Sequence, residues 1–152
     1  MEENKINHMK IALDEAYKAL KKDEVPVGAI IVRNGKVIAK AYNKREKSRD
    51  ATAHAEILAI RKACKKLKDF RLNDCEMYVT MEPCAMCMGA ILNARLGKLY
   101  FGASINKEDC LTAKEIKERA NLNHKCEIES GVLDQTCGKL VSDYFKSKRK
   151  NK

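Results

Sequence analysis

Apolar residues recur at helical spacing near the start of the chain. Ile6, Met9, Leu13, Ala16, Tyr17 and Leu20 share one face of a helix predicted from about Ile6 to Leu20. Val25-Pro26-Val27-Gly28 breaks that pattern, and Ala29-Ile30-Ile31-Val32 follows as a short buried strand. Asn34-Gly35 is the strongest two-residue signal for a hairpin, so Lys36 to Tyr42 returns as a second strand. Asn43 to Thr52 is polar throughout and reads as a loop. A second helix is predicted from about Ala53 to Lys66, with Ile57, Leu58, Ile60 and Ala63 as its apolar positions. Cys75 to Met81 reads as a third strand, and Pro83 suits the start of a third helix running through Ala90 to about Ala94. Lys98 to Gly102 is a fourth strand, Leu111 to Ala120 is helix-prone, Lys125 to Glu129 is a candidate fifth strand, and Gln135 to Lys148 closes as a helix. Strands alternating with helices imply an α/β protein with helices packed on a central sheet.

The chain has 152 residues, of which 45% are hydrophobic, which suits one domain with a real core. No stretch approaches the ~20 apolar residues that a membrane span needs. Met1 to Lys10 lacks the apolar run of a secretory signal, so the expected location is the cytoplasm. The net charge of +10 favours a polyanionic partner, with a well-solvated basic surface as the alternative. Lys146 to Lys152 is nearly all basic and reads as a tail from about residue 146. The seven cysteines are an odd number for a disulfide framework. Cys64, Cys75, Cys126 and Cys137 sit alone and read as small buried hydrophobes.

Two short groups carry chemistry. His54-Ala55-Glu56 stands at the predicted start of the second helix, and Pro83-Cys84-Ala85-Met86-Cys87 at that of the third. The positive end of a helix and its unpaired N–H groups favour a thiolate over a thiol. Cys84 and Cys87, three residues apart, can present both sulfurs to one side of the first turn. One imidazole and two thiolates suit zinc. Three protein ligands leave a position for water, and zinc lowers the pKa of such a water to about 7. Glu56, two residues after His54, can face that water and move its proton. Cys-x-x-Cys alone also fits a redox pair or half a zinc knuckle, and Cys110 or Cys126 could close a four-ligand structural site. The two groups together, in this order and with this proline, match the signature of zinc-dependent nucleobase deaminases.

The chain resembles the cytidine and deoxycytidylate deaminase superfamily, and within it the bacterial tRNA-specific adenosine deaminases. The resemblance rests on Glu24-Val25-Pro26-Val27-Gly28-Ala29, Thr52-Ala53-His54-Ala55-Glu56-Ile57, Tyr78-Val79-Thr80-Met81-Glu82-Pro83-Cys84 and Leu99-Tyr100-Phe101-Gly102-Ala103. Asn123-His124-Lys125 and Leu140-Val141-Ser142-Asp143-Tyr144-Phe145 extend it to nearly the whole length. It implies a three-layer α/β/α fold with a mixed five-stranded sheet, one zinc ion per subunit, a homodimer, and conversion of the wobble adenosine of a tRNA anticodon loop to inosine. It also implies that His54, Cys84 and Cys87 hold the zinc and that Glu56 shuttles protons. Asn43, Val27, Ala55 and Pro83 would then meet the flipped base, and Tyr144, Phe145, Lys148, Arg149 and Lys107 would meet RNA.

One stretch departs from that pattern. After Phe101-Gly102-Ala103 the tRNA enzymes usually continue with Arg-Asp and a loop of small residues. This chain has Ser104-Ile105-Asn106-Lys107-Glu108-Asp109-Cys110-Leu111. Ile105 has no polar atom to offer an RNA backbone. The departure favours a second reading, deamination of a free base or nucleoside of the guanine or cytosine type. A third reading is a catalytically silent RNA-binding subunit that keeps zinc for stability.

Overall fold

The asparagine-glycine pair builds the first corner. In a computed structural model, which describes residues 2–104, 110–120 and 124–150, Asn34 and Gly35 have φ of 51° and 76°. Positive φ at both central residues is what the hairpin turn matching strand twist requires. It joins β1 (Gly28–Arg33) to β2 (Lys36–Tyr42), with Arg33 paired to Lys36. The register slips between Ile31 and Val32, whose partners are Ala39 and Val37, so β2 bulges by one residue.

Three further strands complete the sheet: β3 (Cys75–Met81), β4 (Lys98–Ala103) and β5 (Glu127–Glu129). The strand order is β2-β1-β3-β4-β5. β1 is antiparallel to both of its neighbours, whereas β3–β4 and β4–β5 are parallel. The sheet is therefore mixed and five-stranded, as the resemblance implies. The period-two alternation of side chains sorts the core into two layers. Ala29, Ile31, Met77, Val79, Leu99 and Phe101 face one side, where they meet Ala55, Ala59 and Ala63 of α3 (Ala55–Leu67). Met88, Ile91 and Leu92 of α4 (Ala85–Asn93) and Ala113 of α5 (Ala113–Arg119) join that layer. Ile30, Val32, Tyr78 and Tyr100 face the other side, against Met9 and Leu13 of α1 (Glu2–Lys21) and Cys137 of α6 (Asp134–Lys150).

Two glycines set how closely helices approach the sheet. A Cβ on Gly28 would overlap backbone atoms of Ala12 and Ala16 in α1, and one on Gly102 would run into Cys137 of α6.

The structure moves several predicted boundaries. α1 begins at Glu2, because Glu2 and Glu3 complement the helix dipole in a first turn that has no apolar face to reveal it. α3 begins at Ala55, with His54 as its extended N-cap. The stretch predicted as a loop from Asn43 to Thr52 contains a short helix, α2 (Arg45–Ser48). The basic residues from Lys146 continue α6 to Lys150 instead of leaving it as a tail. Among the described residues, no helix is long and apolar enough to cross a membrane.

Candidate active site

Two helix beginnings meet where β3 ends. His54 is the N-cap of α3 and Cys84 the N-cap of α4, and both have extended backbone that turns the side chain back toward the helix start. Cys87 lies in the first turn of α4 and is fully buried. His54 Nδ1 is 3.7 Å from Cys84 Sγ and 3.5 Å from Cys87 Sγ. All three donor atoms lie within 4.8 Å of one another. Tetrahedral zinc with ordinary Zn–S and Zn–N bonds would hold sulfur and nitrogen about 3.6 Å apart. The donors present, one imidazole nitrogen and two sulfurs, therefore fit that ion in kind and in spacing. These three are the one such group among the described residues, and Cys110 and Cys126 are not part of it.

The charges at this point are tightly linked. Hydrogen bonding from Cys87, and next from His54, pulls the Cys84 thiol down to about 3. The same bond to Cys84, together with burial, pushes Cys87 upward. His54 is raised, first by its bond to Cys84. The trio thus carries one thiolate readily, and a second only when a cation offsets it. Glu56 is 4% exposed. Burial pushes its carboxyl up to about 7, while its own backbone N–H and the neighbouring His54 pull the other way. A carboxyl with that affinity can take up and release a proton near neutral pH.

A cleft of about 240 Å3 opens above this floor. Val27, Asn43, Ala55 and Glu56 line it beside His54 and Cys84, and Phe145 reaches in from α6. Ala55 has no exposed surface. Pro83 is buried beside Cys84 but does not line the cleft. Asn43 is 7% exposed and supports the wall as well as lining it. Its Nδ2 donates to the Val25 carbonyl at 3.2 Å, and its Oδ1 accepts from the Arg45 N–H at 3.2 Å. An adjoining, wider cleft of about 410 Å3 shares Val25, Asn43, Arg45 and Phe145, and adds Tyr144, Lys148 and Arg149. Tyr144 and Phe145 meet edge to face at 5.4 Å. The Tyr144 hydroxyl donates to the Asp23 carbonyl at 3.3 Å, and Lys148 Nζ pairs with the Asp23 carboxylate at 2.6 Å. Lys107 lies outside the described residues.

Comparison with known proteins matches this arrangement to a family. The family model for MafB19-like deaminases matches residues 3–147. The chain belongs to that family. The deaminase is 45% identical over 146 residues to the tRNA-specific adenosine deaminase of Bacillus subtilis, covering 95% of this chain and 91% of that one. A solved structure from work on A-to-I editing by tRNA:A34 deaminases aligns with a TM-score of 0.82 at 37% identity, covering 88% of this chain and 98% of the other. The guanine deaminase of Bacillus subtilis also aligns, with a TM-score of 0.63 at 36% identity, over 76% of this chain and 69% of that one. The resemblance read from the motifs extends along nearly the whole deaminase.

Several residues of the site were not singled out as site residues by the sequence. Arg45 and Glu24 line the wider cleft, and Met81 and Glu82 the deeper one. Arg45 lies in a polar stretch with no apolar spacing, so its place in a helix facing the cleft could not be read. Glu82 is 7% exposed and accepts the first N–H of α5, from Ala113, at 2.7 Å. The Glu preceding Pro83 is visible in the motif, but nothing in its spacing points to α5, 31 residues later.

Proposed function

We propose that this deaminase converts the wobble adenosine of a tRNA anticodon loop to inosine by hydrolysis, releasing ammonia. The observation that carries the reading is a buried carboxyl and three metal donors at the floor of a cleft whose rim is aromatic and basic. A base can enter only as far as the floor, so the rim is left for the rest of a polynucleotide. Phe145 offers a ring for stacking, and Lys148 and Arg149 offer charge to phosphates. The B. subtilis relative, named a tRNA-specific adenosine deaminase, supports the same substrate.

His54, Cys84 and Cys87 would hold one zinc ion. When bound, the zinc supplies a water acidic enough to attack at neutral pH. Glu56 would accept a proton from the water that attacks C6 of adenine. Glu56 would pass that proton to the ring nitrogen, then take the proton of the new C6 hydroxyl and deliver it to the exocyclic amine. The C6–N bond breaks and ammonia leaves. Asn43 keeps one Nδ2 hydrogen and one Oδ1 lone pair beyond its two bonds to the wall, enough to orient the base. Val27 packs against the ring, and the buried Ala55 shapes the wall behind it. A homodimer in the cytoplasm belongs to the same reading on the strength of the resemblance, and sedimentation of the purified protein tests the dimer.

One observation favours a second reading. The sequence from Ser104 to Leu111 lacks the Arg-Asp pair and small-residue loop of the tRNA enzymes, and a guanine deaminase shares the fold at 36% identity. One experiment separates the two. Purified protein is offered an anticodon stem-loop and a panel of free bases and nucleosides, and ammonia release is followed. Release from the stem-loop is the expected result, and release from free bases alone overturns the tRNA reading. The buried, proton-ready Glu56 speaks against a silent subunit, which has no use for it.

A further inference from the structure

We infer that Glu24 is a positioning residue for substrate binding, acting by capping the short helix α2 from a distance. It has no exposed surface. Its Oε1 accepts the Glu46 N–H at 3.0 Å and its Oε2 accepts the Lys47 N–H at 2.8 Å. These groups belong to the first turn of α2, which no other helical residue can satisfy.

The local chain cannot cap this helix by itself. Lys44 stands at the N-cap with φ of −131° and ψ of 24°, away from the extended backbone that capping side chains use, and makes no side-chain bond there. The remaining N–H groups can be traced. Arg45 donates to Asn43 Oδ1, and Ser48 to the Lys44 carbonyl. Two side chains of the cleft wall, Asn43 and Glu24, therefore hold the whole start of α2.

The result is one braced unit. Residue 24 precedes Val25, whose carbonyl receives the Asn43 amide, and the preceding Asp23 receives Lys148 and Tyr144 of α6. Glu24 ties α2 to this loop, and α2 carries Arg45 and Glu46 to the wider cleft. Without the carboxylate, two N–H groups lose their acceptor and α2 frays. Arg45 and Asn43 would then lose their fixed place, whereas the donors at His54, Cys84 and Cys87 are held by other helices. The loss should fall on binding and spare chemistry.

This inference rests on the stem-loop reading for its kinetic test, so a second readout is independent of substrate. Amide hydrogen exchange in the wild-type protein should show Glu46 and Lys47 slowed by about a hundredfold or more relative to an open loop. Glu24→Gln keeps the volume and one acceptor. It should speed exchange at one of the two amides, and Glu24→Ala at both. On the anticodon stem-loop, KM should rise about tenfold in Glu24→Ala and less in Glu24→Gln, with kcat within about twofold and bound zinc unchanged. Unprotected Glu46 and Lys47 amides in the wild type would overturn the inference even if Glu24→Ala failed to fold. So would a lowered melting temperature with KM unmoved, or a fall in kcat with KM constant. If the wild type acts only on free bases, the tRNA reading fails, and the exchange result still decides whether Glu24 caps α2.

Discussion

Replacing Gly102 by alanine tests how α6 is seated. A Cβ at this position would stand 2.5 Å from Cys137 Sγ, 2.7 Å from the Thr80 carbonyl oxygen and 2.9 Å from Cys137 Cβ. Ordinary contacts at these atoms begin near 3.4 Å or more, so α6 must move outward by several tenths of an ångström or β4 must bend. Overpacking of this kind costs about 1–3 kcal/mol, less about 0.4–1 kcal/mol regained from the stiffer unfolded chain. A net loss of about 1–2 kcal/mol lowers the melting temperature of a protein of this size by about 2–8 °C. Gly89→Ala in α4 is the control, because its Cβ meets nothing within 4 Å. It should gain about 1 kcal/mol from helix propensity and melt higher. Thermal unfolding followed by circular dichroism, with guanidinium unfolding as a check, reads both. Because α6 also carries Phe145 to the cleft, Gly102→Ala should lower kcat/KM with bound metal unchanged. A Gly102→Ala protein melting at or above wild type would refute the close seating of α6 on β4.

Further outcomes can be measured in the same preparations. Glu56→Gln should reduce turnover by about 10²–10⁴-fold, with zinc per chain unchanged by elemental analysis. Turnover near wild type would remove Glu56 from the proton path. Stripping metal with a chelator should abolish activity and expose one fast-reacting thiol, Cys84, whose pKa near 3 makes it a thiolate at neutral pH. An unchanged thiol count on chelation would argue against Cys84 as a ligand. At alkaline pH the folded state should weaken. Burial raises Cys75 and Cys126 to about 11 and Cys137 to about 12, from an ordinary 9.0. These thiols stay neutral in the folded chain while the unfolded chain ionises, so their contribution is full below pH 9 and is lost as pH rises toward 11–12. Chemical denaturation across that range should show falling stability, and a flat profile would contradict their burial.

Much of this arrangement was legible in the sequence, and the rest was hidden for physical reasons. Strands β1 to β4 stand where short apolar runs and the Asn34-Gly35 turn place them, because local chemistry decides both. His54, Cys84 and Cys87 were readable because metal chemistry demands particular residue types at fixed spacings, and the structure brings their donor atoms together. Helix α2 was not readable. It has four polar residues, and its cap comes from Glu24, some twenty positions earlier. Tyr144 and Phe145 look like ordinary helix residues by spacing alone. Only the resemblance singled them out, and only the fold brings Phe145 to the cleft that Glu56 lines. Pro83 shows the limit of reading roles by position, since it stands one residue before the N-cap Cys84, outside α4, and does not line the cleft.

The two faces of the sheet divide the labour of this molecule. The floor of the cleft is carried by α3 and α4, packed on one face, whereas the outer rim is carried by α6, packed on the other. The two meet at the cleft, which Phe145 of α6 and Glu56 of α3 both line. The outward residues of α6 can therefore change while its buried contact through Cys137 keeps the helix seated. That division marks α6 as the first element to redesign when a new substrate is sought.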